Sequence, residues 1–254
     1  MVAIRRTDEI AKIAESARIV GGALRAVGKM IAPGVTTRDI DDTVEAFIRA
    51  EGATPSFKGY HGFPASACVS VNDVVVHGIP SDRKIEPGDI VGVDAGAYKN
   101  GYHGDGAWTF TVGEVSKDVT RLLNVTREAL QAGIDKAWPG ARLGEISHTI
   151  QSHVESNGYS VVRVLVGHGI GANLHEEPQV PNFGSARQGP LLRAGMCMAI
   201  EPMVNIGGYD VYTEPDDWTV VTSDHSLSAH FEHTVTITED GPRILTIPGP
   251  GSPD

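Results

Sequence analysis

Residues 90–112 read IVGVDAGAYKNGYHGDGAWTFTV, and the way this stretch must bend decides the fold. Asn100-Gly101, with strand-forming residues on both sides, is the strongest short hairpin signal, because both turn positions require positive φ. A two-residue turn there sets Asp94 opposite Ala107. Asp105 then lies on the same face as Asp94 and diagonal to it. Diagonal neighbours sit about 7–8 Å apart at the backbone, within reach of a shared cation or cation pair. Asp94 also interrupts the apolar run Ile90-Val91-Gly92-Val93. Two like charges on a largely apolar face are destabilising without a positive partner. The hairpin therefore predicts a metal-ligand platform rather than two solvent-facing acids.

Two further acids interrupt apolar runs downstream: Glu201 in Met198-Ala199-Ile200-Glu201-Pro202-Met203-Val204, and Glu232 in His230-Phe231-Glu232-His233-Thr234-Val235. His168 follows the apolar stretch Val161–Val166 inside Gly167-His168-Gly169-Ile170-Gly171. Each alone is an ordinary strand acid or core histidine. Together, four carboxylates and one imidazole can hold two divalent ions about 3.5–4 Å apart around a bridging hydroxide, a hydrolytic arrangement. So oxygen-rich a set suits Co2+, Mn2+, Fe2+ or Zn2+, and it is not a closed structural zinc site.

Outward from these residues, four segments carry helical periodicity. The first runs from Ile10 to Ile31 behind Thr7 as N-cap. The second holds Ile40, Val44, Phe47 and Ile48 behind Thr36/Thr37 and stops at Gly52. The third starts after Ser116 and is stopped by Pro139; the fourth holds Ile146, Ile150 and Val154 and ends at Asn157-Gly158. Strands are expected at Ala67–Val71, Ile90–Tyr98, Tyr102–Val112, Val161–Val166, Met196–Val204, Thr219–Thr222 and Ala229–Thr238, which makes the chain α+β. Residues 1–247 read as a single catalytic domain, and the Pro-Gly alternation over 248–254 as a disordered tail. A faint repeat runs through the domain. Pro33-Gly34 and Pro139-Gly140 each precede a helix, and Gly88 and Gly195 each precede an acid, Asp94 and Glu201, by six residues. His77-Gly78-Ile79 is echoed by His168-Gly169-Ile170, and Asp105 and Glu232 each open a Thr-rich strand. Four echoes in one order imply a duplicated unit with a pseudo-twofold centre.

Composition narrows the function classes. With 254 residues, 41% hydrophobic and 21% charged, the chain is of ordinary globular composition. Its 21 basic residues against 32 acidic ones give a formal charge of −11, which argues against a nucleic-acid binder. No apolar run approaches the roughly 20 residues of a membrane helix. Arg5, Arg6, Asp8 and Glu9 leave no signal-peptide core, and two cysteines, Cys68 and Cys197, fit a reducing cytoplasm. Two decoys fail on context. Gly167-x-Gly169-x-x-Ala172 has the spacing of a dinucleotide fingerprint, but Pro178 and Pro181 forbid the long helix that should follow. A serine-hydrolase elbow, Gly-x-Ser-x-Gly, occurs nowhere.

The ordered set Asp94, Asp105, His168, Glu201, Glu232 resembles the pita-bread metallopeptidases. Val76-His77-Gly78-Ile79-Pro80, Gly167-His168-Gly169-Ile170-Gly171, His175-Glu176-Glu177-Pro178 and Glu201-Pro202-Met203 resemble, within them, the bacterial type I methionine aminopeptidase family. Only 26 positions separate His175 from Glu201, too few for the insertion of type II members. The resemblance implies a pita-bread fold, a duplicated pseudo-twofold unit with a mainly antiparallel sheet flanked by helices. It implies two divalent metal ions, with Asp94 on one, Asp105 and Glu232 bridging, and His168 and Glu201 on the other. It also makes Glu201 the general base and places His77 and His175 on the scissile peptide. Tyr60, Phe63, Cys68 and Trp218 match the family's methionine pocket, whereas Phe57 stands where many members have cysteine and Leu174 where they often have an aromatic residue. The implied reaction removes the initiator methionine from nascent polypeptides ahead of a small, uncharged second residue, by a monomer in transient association with the ribosome.

Overall fold

The computed structural model describes residues 2–246; the expected tail at 248–254 lies outside the described residues. The first half of the chain comprises α1 (Thr7–Met30), α2 (Thr37–Ala50), β1 (Thr54–Pro55), β2 (Ala67–Val71), β3 (Val74–Val76), β4 (Ile90–Lys99) and β5 (Tyr102–Thr111). The second half comprises α3 (Lys117–Ile134), α4 (Leu143–Ser156), β6 (Ser160–Val161), β7 (Gly167–Gly169), β8 (Glu176–Val180), β9 (Cys197–Ile200), β10 (Met203–Asn205), β11 (Val211–Thr213), β12 (Val220–Thr222), β13 (Ser228–His230), β14 (His233–Thr238) and β15 (Gly241–Ile244). No helix among the described residues is long and apolar enough to cross a membrane.

The helices start where local chemistry starts them. Thr36 Oγ1 accepts the Asp39 amide at 3.1 Å and the Asp39 carboxylate accepts the Thr36 amide at 2.8 Å, a reciprocal cap for α2. Ser116 caps α3 through the Val119 amide. The start of α1 differs from expectation: Arg6 is the cap residue, its amide donating to Glu9 Oε2 at 2.9 Å, and Thr7 is already helical. Buried Ile19, Val20, Ala23 and Val27 of α1 and Ile40, Val44 and Ile48 of α2 pack on Val69, Val91 and Val93, forming one core. Leu122, Leu130, Ile146 and Ile150 of α3 and α4 pack on Met198, Ile200 and Val235, forming its counterpart.

Every strand pairing is antiparallel, but the strands divide among four sheets rather than joining one. The hairpin β4–β5 has the register read from its turn, with Asp94 opposite Ala107 and Asp105 opposite Gly96. Asn100 and Gly101 both take positive φ, 53° and 86°, as the two-residue turn requires. Three expected strands are interrupted. Met196–Val204 breaks at Glu201-Pro202, and Ala229–Thr238 breaks at Phe231-Glu232. Val161–Val166 pairs only as far as Val161, after which the chain turns outward and leaves Val164 75% exposed.

The duplication is written in the hydrogen bonds. Gly34 N–H donates to Ile85 O and Ile85 N–H to Val35 O; in the second half Gly140 N–H donates to Leu192 O and Leu192 N–H to Ala141 O. Gly88 N–H donates to Val112 O, and Gly195 N–H to Ile237 O. Two echoes do not survive. Asp94 pairs with Ala107 and Glu201 faces Glu232, so Glu232 corresponds to Ala107 and Asp105 to His230. Pairing on β4 sets Ser70 opposite Gly92, and pairing on β9 sets His168 opposite Ala199, so His168 corresponds to Ser70 rather than His77.

The halves meet along β5. Glu232 N–H donates to Ala107 O at 3.0 Å, and on either side of that bond a buried threonine bridges the gap. Thr109 Oγ1 donates to His230 O at 2.7 Å and accepts His230 N–H at 3.0 Å. Thr234 Oγ1 does the same to Asp105, at 2.7 and 3.0 Å. Replacing Thr109 by the isosteric valine leaves the His230 amide and carbonyl buried without partners, each worth about 1–3 kcal/mol. Thr109→Val is expected to lower the unfolding free energy by about 2–4 kcal/mol at unchanged m-value in urea denaturation. A midpoint equal to the parent's would show that the seam does not hold the halves together.

Candidate metal centre and its pocket

Asp94 projects from an unbroken ladder, and the other predicted ligands come from the seam (Asp105), from breaks in pairing (Glu201 and Glu232) and from beside a register shift (His168). Asp94 and Asp105 project from one face of β4–β5. Glu201 sits between β9 and β10, where Pro202 has no amide for a ladder to use. Glu232 sits between β13 and β14. The registers on either side, Ile200 against His233 and Met203 against His230, set Glu201 opposite Glu232 across the break. His168 is held in β7, the next strand, opposite Ala199. All five side chains line one cavity of about 500 Å3.

Donor atoms of Asp105, His168 and Glu232 lie within 4.8 Å of one another. His168 Nε2 is 3.6 Å from Glu201 Oε1 and 3.9 Å from Asp105 Oδ2. Those separations are too long for hydrogen bonds, and they are what two donors bound at about 2.0–2.2 Å to a common ion would span. The His168 ring is set for this role: its Nδ1 faces the Gly169 carbonyl at 3.0 Å, so Nδ1 carries the proton and Nε2 presents its lone pair to the acids. Asp94 Oδ1 and Glu232 Oε1 are buried without any hydrogen-bond partner. Buried carboxylate oxygens without donors, beside an imidazole lone pair, fit a divalent cation and fit little else.

Electrostatics agree. Burial, followed by repulsion from neighbouring acids, holds the Asp94 and Glu232 carboxyls well above the usual carboxylate range. Glu201 is raised by burial and by Asp105, and burial pushes Asp105 up to about 7. Burial lowers His168 to about 3 and His77 to about 4, so both imidazoles are neutral near pH 7.

The predicted pocket residues surround this floor. His77 follows β3 with φ 59° and lines the cavity with Tyr60, Phe63, Cys68, His175 and Trp218. Tyr60 Oη and His175 Nδ1 are 2.7 Å apart, and the His175 ring lies 4.2 Å from that of His168. Phe63 meets Trp218 edge to face at 5.1 Å. Cys68 pairs across the sheet with Asp94. Phe57 and Leu174, the two departures from the family pattern, are both in the wall. Sequence reading missed His230, whose buried Nε2 has no hydrogen-bond partner and stands 3.8 Å from Glu201 Oε2. The only signal for it was its place two residues before Glu232 in an apolar run.

The sequence profile of metallopeptidase family M24 matches residues 11–239. The chain is 52% identical over 248 residues to the methionine aminopeptidase of Clostridium acetobutylicum, covering 97% of this chain and 99% of that protein. It is 51% identical to methionine aminopeptidase 1 of Bacillus subtilis, with coverage of 97% and 99%. The crystal structure of methionine aminopeptidase from Thermotoga maritima superposes with a TM-score of 0.95 at 48% identity, covering 97% of this chain and 99% of that one. The arrangement of helices and antiparallel strands is thus the pita-bread fold.

The carboxylates give a pH dependence of defined sign. A carboxyl raised in the folded state holds its proton more tightly there, so the native state binds more protons and stability falls as pH rises through the raised value. Unfolded histidines lose their charge around pH 6.5, so above that pH the contribution of the lowered imidazoles fades. The metal-free protein should therefore lose stability from about pH 6.5 to 8, and Glu232→Gln, with one repulsive charge fewer, should be more stable than the metal-free parent at pH 8 by about 1–3 kcal/mol. Added divalent metal should stabilise the parent and not the variant. Urea midpoints with and without chelator measure this; a variant less stable than the metal-free parent would contradict mutual repulsion in the cavity.

Proposed function

Because this chain belongs to metallopeptidase family M24, we propose that its acid-floored pocket removes the N-terminal methionine of polypeptides, with residues 1–247 acting as one catalytic unit. The supporting observation is the juxtaposition in one cavity of five metal donors with a soft, aromatic and thiol-bearing wall. Asp94 would hold one ion, Asp105 and Glu232 both, and His168 with Glu201 the second; Co2+, Mn2+, Fe2+ and Zn2+ all suit these donors. Two such ions, when bound, polarise the scissile carbonyl and bring a water's pKa near neutrality.

The chain's own groups do the rest. Glu201 is the general base, taking the proton of the attacking water and passing it to the leaving amine. With Tyr60 donating to His175 Nδ1, the imidazole proton sits on Nε2, from which it donates to the developing oxyanion. His77, neutral through burial, donates to the peptide on the other side. The substrate's free α-amine must reach a metal ion or Asp94, which limits cleavage to the chain terminus. The methionine thioether packs on Phe63, Trp218, Tyr60 and Cys68, with about 0.3–1.5 kcal/mol from sulfur–ring contact. Phe57 is larger and Leu174 smaller than the family's usual residues, and both sit in one cluster, so the two exchanges offset each other in volume. The second residue lies between the metal donors and His77, where only Gly, Ala, Ser, Thr, Pro, Val or Cys fits. Nascent chains in the cytoplasm, met during transient ribosome association by a monomeric enzyme, are the substrates this reading implies.

Met-Ala-Ser should be cleaved with a kcat/KM at least roughly tenfold above Leu-Ala-Ser, because pocket contacts discriminate by about 1–3 kcal/mol. Met-Lys-Ser should be rejected as well, and chelation should abolish turnover until metal is returned. Comparable kcat/KM for all three peptides would leave only a broad metallo-aminopeptidase, and activity of metal-free protein would overturn the mechanism. His77→Ala and His175→Ala should each lower kcat by roughly 10²–10³ with metal content unchanged, whereas Asp105→Ala should lose metal and activity together. Equal metal loss in all three, measured by elemental analysis, would make the histidines ligands rather than donors to the peptide.

A further inference from the structure

Arg5 lies 171 positions from Glu176 in sequence, yet the two side chains form an ion pair in which they are 13% and 12% exposed. Nothing in the catalytic reading uses either residue. The Arg5 backbone is fixed by its amide, which donates to Gly195 O at 2.8 Å. Its guanidinium lies over the Tyr102 ring, 5.7 Å from the centroid, and against Gly171, where any Cβ would overlap it. The Glu176 carboxylate is used at both oxygens: Oε2 takes Arg5, and Oε1 accepts the Asn173 amide at 3.0 Å. The pair thus closes loop 171–175 between β7 and β8, which His103 N–H also ties down through Gly171 O at 2.8 Å. That loop ends in Leu174, buried in the pocket wall, and His175, exposed at the mouth, bonded to Tyr60 and packed on the His168 ring.

We infer that the Arg5–Glu176 ion pair is a positioning element for the reaction, by which the segment ahead of α1 fixes the loop that carries His175 and Leu174. Without the ion pair, a His175 held by one tyrosine hydroxyl and a ring contact with His168 would sample more orientations. A buried pair at the adjacent residue, with the guanidinium against Gly171 of the loop, selects one. Misplacing a transition-state donor by about 1 Å costs on the order of 10²-fold in rate. Arg5 touches no substrate atom, so its effect must pass through His175.

This role presupposes the aminopeptidase reading, and the test separates the two. Turnover of Met-Ala-Ser and metal content are measured for wild type, Arg5→Gln, Arg5→Lys, His175→Ala and the double variant Arg5→Gln/His175→Ala. Arg5→Gln should lower kcat roughly 10- to 100-fold with KM changed less than about threefold and metal content unchanged. Arg5→Lys, which keeps the charge, should retain at least about a third of kcat. In the His175→Ala background the same Arg5→Gln change should cost less than about twofold, because the group it positions is gone. A merely structural role would cost the same factor in both backgrounds, and that result overturns the inference while leaving the aminopeptidase reading intact. Absence of turnover by wild type would overturn both. Should Arg5→Gln not fold, Glu176→Gln removes the pair from the other side and must show the same loss of additivity with His175→Ala, or the inference falls.

Discussion

Four carboxylates buried around one point are the constraint on which this structure depends. Asp94, Asp105, Glu201 and Glu232 line a single cavity; burial raises the proton affinity of all four, and repulsion from neighbouring acids adds to it at Asp94, Glu201 and Glu232. Two unit charges about 4–5 Å apart at an effective dielectric of about 20 repel by about 3–4 kcal/mol, and four such groups make several pairs. A domain stable by only about 5–15 kcal/mol cannot hold that cluster fully ionised at neutral pH without counter-charge. Divalent cations supply it. The frame must then be stiff enough to keep its acids converged when no cation is there, and two helix-backed hairpin units joined across a bridged seam provide that stiffness.

The duplication explains how the convergence is built. Each half has two helices packed on antiparallel strands, and matching backbone bonds at Gly34/Ile85 and Gly140/Leu192 fix the helices to the strands in the same way. Asp94 on β4 corresponds to Glu201, which directly follows β9. Across the seam Glu232 bonds Ala107, and on either side Thr234 and Thr109 satisfy the backbone amide and carbonyl of Asp105 and His230. The seam thus carries two of the carboxylates on its own strands. The donors themselves break the symmetry, since Glu232 corresponds to Ala107 and Asp105 to His230. His168 corresponds to Ser70, so one half offers nitrogen where the other offers a hydroxyl, and the donor set is lopsided although the scaffold is not.

Much of this was legible in the sequence, for reasons that can be named. The β4–β5 hairpin was readable because Asn100-Gly101 admits one tight turn, and the turn alone sets the Asp94/Asp105 diagonal. The other donors were readable because an acid inside an apolar run needs a reason to be there. Helix starts at Thr36 and Ser116 were readable from side chains that accept amide protons, and Arg6 was not, because there the box is made by its backbone and Glu9. Val161–Val166 misled by composition: valines favour strands, but Val164 has no sheet to enter and faces solvent. Long-range polar contacts left no local trace at all. Neither Arg5–Glu176 nor the threonine bridges follow any periodicity, and His230 is distinguished only by what it stands beside.

The strand breaks at Glu201 and Glu232 carry the same lesson in sharper form. One break was written in the chain, since Pro202 removes the amide that an uninterrupted ladder would need. The other, at Phe231-Glu232, has no proline or glycine to announce it. It follows from its partner: a strand that pairs with β10 before the gap and with β9 after it must leave one sheet and enter another where its neighbour does. A regular ladder sends consecutive side chains to alternate faces of one sheet. A pair of strands that changes sheets together can instead bring two opposed glutamates to the junction, where the β4–β5 hairpin supplies two aspartates from the other half. The irregularity is thus the means by which acids from both halves reach one cavity, and sequence reading fails where function has imposed a departure from the regular strand.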